Sequence, residues 1–127
     1  MNLQERLAAV VEALLPATRE EDGALTVHHD GTFASLRVVS VGEGLDMVSL
    51  NQILVWDQPL DDALRGIVAG HTRNTLLGTV SLIEKDESAD VLLRYNFPAS
   101  GLTDEALSTL IMMVLATGAD VRRTLVT

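Results

Sequence analysis

The fold is decided by residues 25–57, LTVHHDGTFASLRVVSVGEGLDMVSLNQILVWD, in which three β-like runs follow one another with only short turns between them. The runs cover residues 25–29, 33–41 and 45–57 and are rich in Val and Leu, which is typical of strands. The dipeptide Asp30-Gly31 separates the first two runs, and it favours a tight hairpin because both residues tolerate a positive φ. This stretch therefore predicts an antiparallel meander.

Helical periodicities lie on both sides of this meander. The apolar residues of segment 3–15 recur at spacings of three and four, and Pro16 ends that helix. After Pro59, a second helical stripe begins at Leu60 and runs to Asn74, and the charges of Asp61 and Asp62 suit the N-terminus of that helix because they complement its dipole. The sequence therefore predicts one helix before the meander and one after it.

The rest of the chain predicts a second hairpin and a third helix. Residues 80–84 and 91–97 alternate as strands around a polar turn, and Thr103 is a candidate N-cap for a helix that runs to Leu125. The complete pattern predicts one α+β domain over residues 1–127. Its expected order is αβββαββα, with helices packed on a five-stranded antiparallel sheet.

The composition fits a single globular domain and argues against several classes of partner. The chain has 127 residues, of which 47% are hydrophobic and 21% charged, so one core is sufficient. Its formal net charge of -9 repels phosphate backbones and anionic headgroups, and we expect neither nucleic acid nor a membrane as partner. Because the chain has no cysteine and no secretory signal pattern, we expect a cytoplasmic protein.

The residues that could carry chemistry do not converge in the sequence. His28 and His29 are neighbours in a predicted strand, so their side chains point to opposite faces and cannot bind one metal together. His71 lies on the apolar stripe of the second predicted helix, where a capping or packing role is expected. The sequence contains no nucleophile elbow, phosphate-binding loop, dinucleotide fingerprint or HExxH motif. We therefore predict a non-enzymatic protein with no catalytic, cofactor-binding or metal-binding residues.

The two longest predicted strands carry more apolar residues than one sheet face needs. Either the domain's own helices cover both faces, or the second face meets another chain. The sole tryptophan, Trp56, lies just before a break in the strand and is a candidate interface anchor or core residue. The candidate partner-binding residues are Val39, Val41, Val48, Leu50, Leu54 and Trp56.

Four segments resemble a known family. They are LNQILVWDQPL at 50–60, LGTVSL at 77–82, DVLLRY at 90–95 and LTDEAL at 102–107. With the element order, they resemble the actinobacterial branch of the YbjN-like domains, within the type III secretion chaperone-like fold. The resemblance implies a non-enzymatic, often homodimeric domain that binds an extended or partly unfolded segment of another protein.

Three hypotheses for the function follow. The first is a chaperone-like protein- or peptide-binding module that holds a client segment on its sheet and helix surface as a homodimer. The second is a roadblock-like regulator of small GTPases, which would place two strands before the middle helix and three after it. The third is an enzyme that uses His28 or His29 with a carboxylate.

Overall fold

The computed structural model describes residues 1–126, which form three helices and six strands. In chain order these are α1 (Leu3–Leu14), β1 (Ala17–Arg19), β2 (Leu25–His29), β3 (Thr32–Gly42), β4 (Leu45–Pro59), α2 (Asp62–Asn74), β5 (Thr79–Glu84), β6 (Ser88–Pro98) and α3 (Asp104–Leu125). The strands form one antiparallel sheet in the order β1-β2-β3-β4-β6-β5. The predicted α+β class and antiparallel sheet are confirmed, whereas the last residue of the predicted domain, 127, lies outside the described residues.

The prediction of five strands is wrong, because β1 adds a sixth strand at one edge of the sheet. Ala17 pairs with Val27 of β2, so the described element order is αββββαββα. A turn brings β1 back onto β2: the Glu20 N–H donates to the Ala24 carbonyl at 2.8 Å, and Gly23 takes a positive φ of 89°. A three-residue strand is too short to produce a readable alternation, so only the turn could have indicated it.

Side-chain caps start each helix where the sequence changes from extended to helical. The caps are Asn2 for α1, Asp61 for α2 and Thr103 for α3, and each side-chain oxygen accepts a backbone N–H three residues on. The prediction of Thr103 as a cap is confirmed. None of the helices within residues 1–126 is both long and apolar enough to span a lipid bilayer.

The three helices pack on the same face of the sheet. α3 contacts β3, β4 and β6, while α1 contacts β3 and α2 contacts β5, so α3 lies in the middle of the helical layer. The core fills the space between this layer and the sheet. Its fully buried side chains include Leu7, Leu36, Leu50, Leu93, Leu107, Ile111 and Leu115.

Candidate protein-binding face of the sheet

The side of the sheet that faces away from the helices is its open face. The strand register decides which residues lie there: Val39 pairs with Met47, and Phe33 pairs with Ile53, which in turn pairs with Leu92 of β6. These residues alternate with the buried residues of the same strands, so their side chains project to the opposite side. The residues of β3, β4 and β6 on the open face are Phe33, Ser35, Arg37, Val39, Met47, Ser49, Asn51, Ile53, Leu92, Arg94 and Asn96.

One end of the open face, the tryptophan end, is apolar and exposed. Phe33, Ile53 and Leu92 form a row across three neighbouring strands. Ile83 of β5 is on the same side, and so is Trp56, which follows the core-facing Val55. Phe33 is 42% exposed and Trp56 is 54% exposed, so large aromatic surface is available at this end. Exposed aromatic side chains of this kind are typical anchors of protein interfaces.

A network of charged residues fixes the backbone next to Trp56. Asp57 has a positive φ of 49°, and the β4–β6 register shifts between Val55 and Gln58, which marks a bulge. The Asp57 N–H donates to Asp90 Oδ1 at 2.9 Å, and Lys85 Nζ donates both to Asp57 and, at 2.9 Å, to Asp90. This network holds the bulge that presents Trp56.

The pKa values of the network respond to these contacts. The backbone N–H of Asp57, followed by the Lys85 ammonium, holds the pKa of Asp90 below its ordinary value. Hydrogen bonds to Asp57 and Asp90 raise the pKa of Lys85. At neutral pH the Asp90 carboxylate and the Lys85 ammonium are therefore both charged, and the ion pair between them is complete.

The opposite end of the open face, the hairpin end, is a second apolar area beside the β3–β4 turn. Val39 and Met47 pair across the two strands, and Met47 pairs with Pro98 of β6. Val41 and Leu45 flank the turn itself, and Val41 is 55% exposed. The hairpin end therefore offers aliphatic surface without a large aromatic side chain.

A polar band separates these two apolar ends. Arg94 Nε donates to Asn51 Oδ1 at 3.0 Å, and an Arg37 guanidinium nitrogen donates to Asp22 Oδ2 at 2.8 Å. The Ala24 N–H and then the Arg37 guanidinium hold the pKa of Asp22 below its ordinary value. Two guanidinium groups thus lie in the middle of this face, on a chain whose net charge is -9.

The structure divides the six candidate partner-binding residues between the two sides of the sheet. Val39, Val41 and Trp56 are exposed, and their role in binding stays a prediction. The grouping of Val48, Leu50 and Leu54 with them needs correction, because these three side chains are buried in the core.

The strand register explains the correction. Leu50 lies opposite the buried Leu36, and Val48 lies opposite Val38, so both point toward the helices. The register then shifts between Ile53 and Val55, and this irregularity leaves Leu54 buried together with Val55. The strand sequences also contain Phe33, Ile53 and Leu92 of the open face. The sequence alone does not show that these three residues lie on the same face of the sheet, because that depends on how β3, β4 and β6 pair.

The histidines do not form a shared site. His28 lies on the open face with its ring centroid 4.1 Å from that of Phe33, while His29, its neighbour in β2, points to the other side. The prediction that they face opposite sides is confirmed. His71 Nε2 is 2.8 Å from Thr124 Oγ1, which ties the end of α2 to α3. Over residues 1–126, no group of three His, Asp or Glu side chains is arranged to hold a metal ion.

These features define a class of domain: an antiparallel sheet with helices on one face and an open, partly apolar second face. The crystal structure of YbjN from E. coli, described as a candidate transcription regulator, is similar to this chain with a TM-score of 0.61. The likeness covers 93% of this chain and 87% of that chain at 11% sequence identity. No family model and no curated protein matches the sequence.

The likeness to YbjN is one of fold. It supports the YbjN-like part of the sequence resemblance, and it does not extend to the secretion chaperones or to an actinobacterial branch. The chain therefore has a YbjN-like fold, and its function has to be argued from its own surfaces.

Proposed function

We propose that this protein is a non-enzymatic protein-binding module that holds an extended segment of a client protein on the open face. The observation that carries the proposal is the open face itself, which has an apolar area at each end and a polar band between them. A surface of this kind suits an extended chain, because peptide groups can contact the polar band while apolar side chains enter the two ends.

The dimensions of the open face set the length of the segment. Ile53 at the tryptophan end and Met47 at the hairpin end lie on the same strand, about 20 Å apart at roughly 3.3 Å per residue. An extended client of about seven residues would therefore reach both ends. Arg94 and Arg37 would then face the middle of the segment, where they can donate to its carbonyl oxygens or to an acidic side chain.

The net charge of the chain also affects the choice of partner. The net charge of -9 disfavours direct contact with nucleic acid phosphates, so we propose that any regulatory role like the one ascribed to YbjN would work through protein contacts. The acidic surface would keep a complex with an apolar client dispersed, as a chaperone-like role requires.

We further propose that the protein is a homodimer and that it acts in the cytoplasm.

The two alternative functions have less support. A roadblock-like regulator would have two strands before the middle helix, whereas four strands precede α2 and two follow it. An enzyme would need a histidine paired with a carboxylate, but the His28 ring lies against the Phe33 ring, and the nearest carboxylate to His29 is that of the exposed Asp30, at 3.8 Å. These placements favour a binding role over catalysis.

An affinity experiment with paired variants tests the proposal. Wild-type protein, Trp56→Ala and Ile67→Ala would each be used to capture proteins from native cytosol, followed by mass spectrometry. Ile67 is the matched control because it is 41% exposed but lies on α2, away from the open face. We expect a protein that is captured by wild type and Ile67→Ala and lost with Trp56→Ala.

Direct titration of the captured client completes the test. Trp56 is the only tryptophan, so its fluorescence reports on the tryptophan end without a label. We expect a blue shift when a seven-residue client segment binds, because the indole leaves water. The proposal would be contradicted if wild type and Trp56→Ala captured the client equally and the Trp56 fluorescence of the wild type did not change on titration.

A further inference from the structure

Arg94 belongs to a row of polar side chains that crosses the open face. The strand register pairs Asn51 of β4 with Arg94 of β6, and it pairs Arg94 with Thr79 of β5. On its other side, Asn51 pairs with Ser35 of β3. Because paired residues of neighbouring strands project to the same side of a sheet, these four side chains form one row. The row places two hydroxyl groups and one amide on the same side as a guanidinium group.

The two guanidinium groups of the open face differ in their partners. Arg37 donates to the carboxylate of Asp22 at 2.8 Å, so its charge is balanced within the chain. Arg94 Nε donates to the uncharged Asn51 Oδ1 at 3.0 Å, and no carboxylate of residues 1–126 forms an ion pair with Arg94. The chain has 18 acidic side chains and nine basic ones, so acids are not scarce. The positive charge of Arg94 is thus available to a ligand.

A shallow depression opens beside Arg94 where one strand ends before its neighbour. β5 begins at Thr79, opposite Arg94, whereas β6 continues to Pro98. No acidic side chain of the described chain lines the depression, and its lining includes Leu76, Thr79, Ser81, Arg94 and Asn96. Leu76 is 90% exposed, so an aliphatic surface lies beside the hydroxyl, amide and guanidinium groups. A glutamate side chain matches this combination, because it has a short aliphatic stem and a charged carboxylate at its end.

The chemistry of Arg94 favours a carboxylate over an uncharged oxygen. A guanidinium group can donate two parallel hydrogen bonds to a carboxylate, and such charge-assisted bonds are the stronger kind. Because Nε is bonded to Asn51, the two terminal nitrogens of Arg94 are the donors for this contact. A client that covers the neighbouring apolar row also excludes water from the ion pair, which strengthens the attraction. An extended client therefore gains affinity when it places an acidic side chain over Arg94.

Building on the proposed function, we propose that Arg94 recognises an acidic side chain, glutamate in particular, of the extended client segment. The strand register gives the position of that side chain. Alternate side chains of an extended segment face the sheet, and Arg94 lies two residues from Leu92 along β6. When the first side chain of the segment contacts the row of Phe33, Ile53 and Leu92, the third lies over Arg94. For a segment that runs in the opposite direction, it is the third side chain from the other terminus.

Selection from a displayed library of random seven-residue peptides tests this preference. The library is selected separately on wild type, Trp56→Ala, Arg94→Gln and Arg73→Gln. Arg73 is the matched control because it is an exposed arginine of α2, and its substitution changes the net charge equally. From wild type and Arg73→Gln we expect peptides with apolar residues at both ends and an acidic residue third from one terminus. Arg94→Gln should select the apolar ends without the acidic residue, and Trp56→Ala should select neither.

Titration of one selected peptide, followed by Trp56 fluorescence, measures the contact itself. Replacing the acidic residue of the peptide by glutamine should weaken binding to wild type about five- to tenfold. The same replacement should change binding to Arg94→Gln by less than about twofold, because the partner charge is gone. Moving the acidic residue to the central, fourth position should weaken binding to wild type as well, since that side chain points away from the sheet. Thermal melts check that Arg94→Gln folds like wild type.

The possible results separate the role of Arg94 from the proposed function. Peptides that depend on Trp56 but carry no acidic residue would contradict the role of Arg94 and leave the binding function standing. The same holds for an acidic preference that Arg94→Gln leaves intact or that Arg73→Gln abolishes equally. A wild type that selects no peptide would contradict the proposed function itself, and the acidic contact with it.

Discussion

The side-chain amide of Gln52 lies directly against Gly118, at the point where α3 crosses the sheet. A Cβ placed on Gly118 would collide with the Gln52 amide, so only glycine leaves room for it. Gln52 Nε2 donates to Thr32 Oγ1 at 2.9 Å and to the Leu115 carbonyl at 3.1 Å. One buried amide thus ties β3 and β4 to α3, and a glycine in the helix makes the close approach possible.

Replacing this glycine should destabilise the fold. We expect Gly118→Ala to lower the free energy of unfolding by about 1–3 kcal/mol, despite the better helix propensity of alanine, because the methyl group overpacks a buried site. Urea denaturation followed by circular dichroism measures the change. In a Gln52→Ala background the same substitution should have a smaller effect, because the colliding amide is gone. An equal loss in both backgrounds would contradict the Gln52 contact as the cause.

Leu54 and Trp56 are close in sequence but should respond differently to substitution. Leu54 is buried, so Leu54→Asp places a carboxylate in the core, and we expect loss of more than about 3 kcal/mol of stability or failure to fold. Trp56→Ala removes an exposed side chain and should change stability by less than about 1 kcal/mol. Thermal melting of the two variants checks this, and a large loss for Trp56→Ala would place the indole in the core.

This contrast illustrates how far the sequence could predict the structure. The helices, the five longer strands and the α3 cap follow from local periodicity and local hydrogen bonding, which act over a few residues, whereas the three-residue β1 is too short for this. The grouping of Val39 with Leu50 failed because faces are set by pairing between strands distant in sequence, and a shift of one residue exchanges the two faces. The contact of Gln52 with Gly118 joins a strand to a helix, and no spacing in the sequence indicates it.

The ion-pair network beside Trp56 should make the free energy of unfolding depend on pH. The pKa of Asp90 is held below its ordinary value of 3.8, so the unfolded chain binds this proton more readily than the folded protein. The contribution of Asp90 is therefore fully present above that ordinary value. It is lost as the pH falls through the lowered pKa of the folded state.

Urea midpoints at neutral pH and at about pH 3 measure this dependence. We expect the difference between the two midpoints to be smaller in Asp90→Asn than in wild type, because asparagine does not titrate. Glu105→Gln serves as a control on a distant exposed carboxyl group. The role of Asp90 would be contradicted if Asp90→Asn and Glu105→Gln changed the acid dependence equally.

The two apolar ends of the open face should act as separate parts of one client site. Val39 and Trp56 lie at opposite ends with the polar band between them, so Val39→Ser and Trp56→Ala should each weaken client binding, and their effects on the binding free energy should add. A client segment shortened at one terminus should no longer contact the corresponding end of the open face. Its affinity should then be unchanged by the substitution at that end and still be lowered by the substitution at the opposite end. Isothermal titration with the full and shortened segments measures both effects. A client that depends on Trp56 but never on Val39 would confine the site to the tryptophan end, and the segment it recognises would be correspondingly shorter than seven residues.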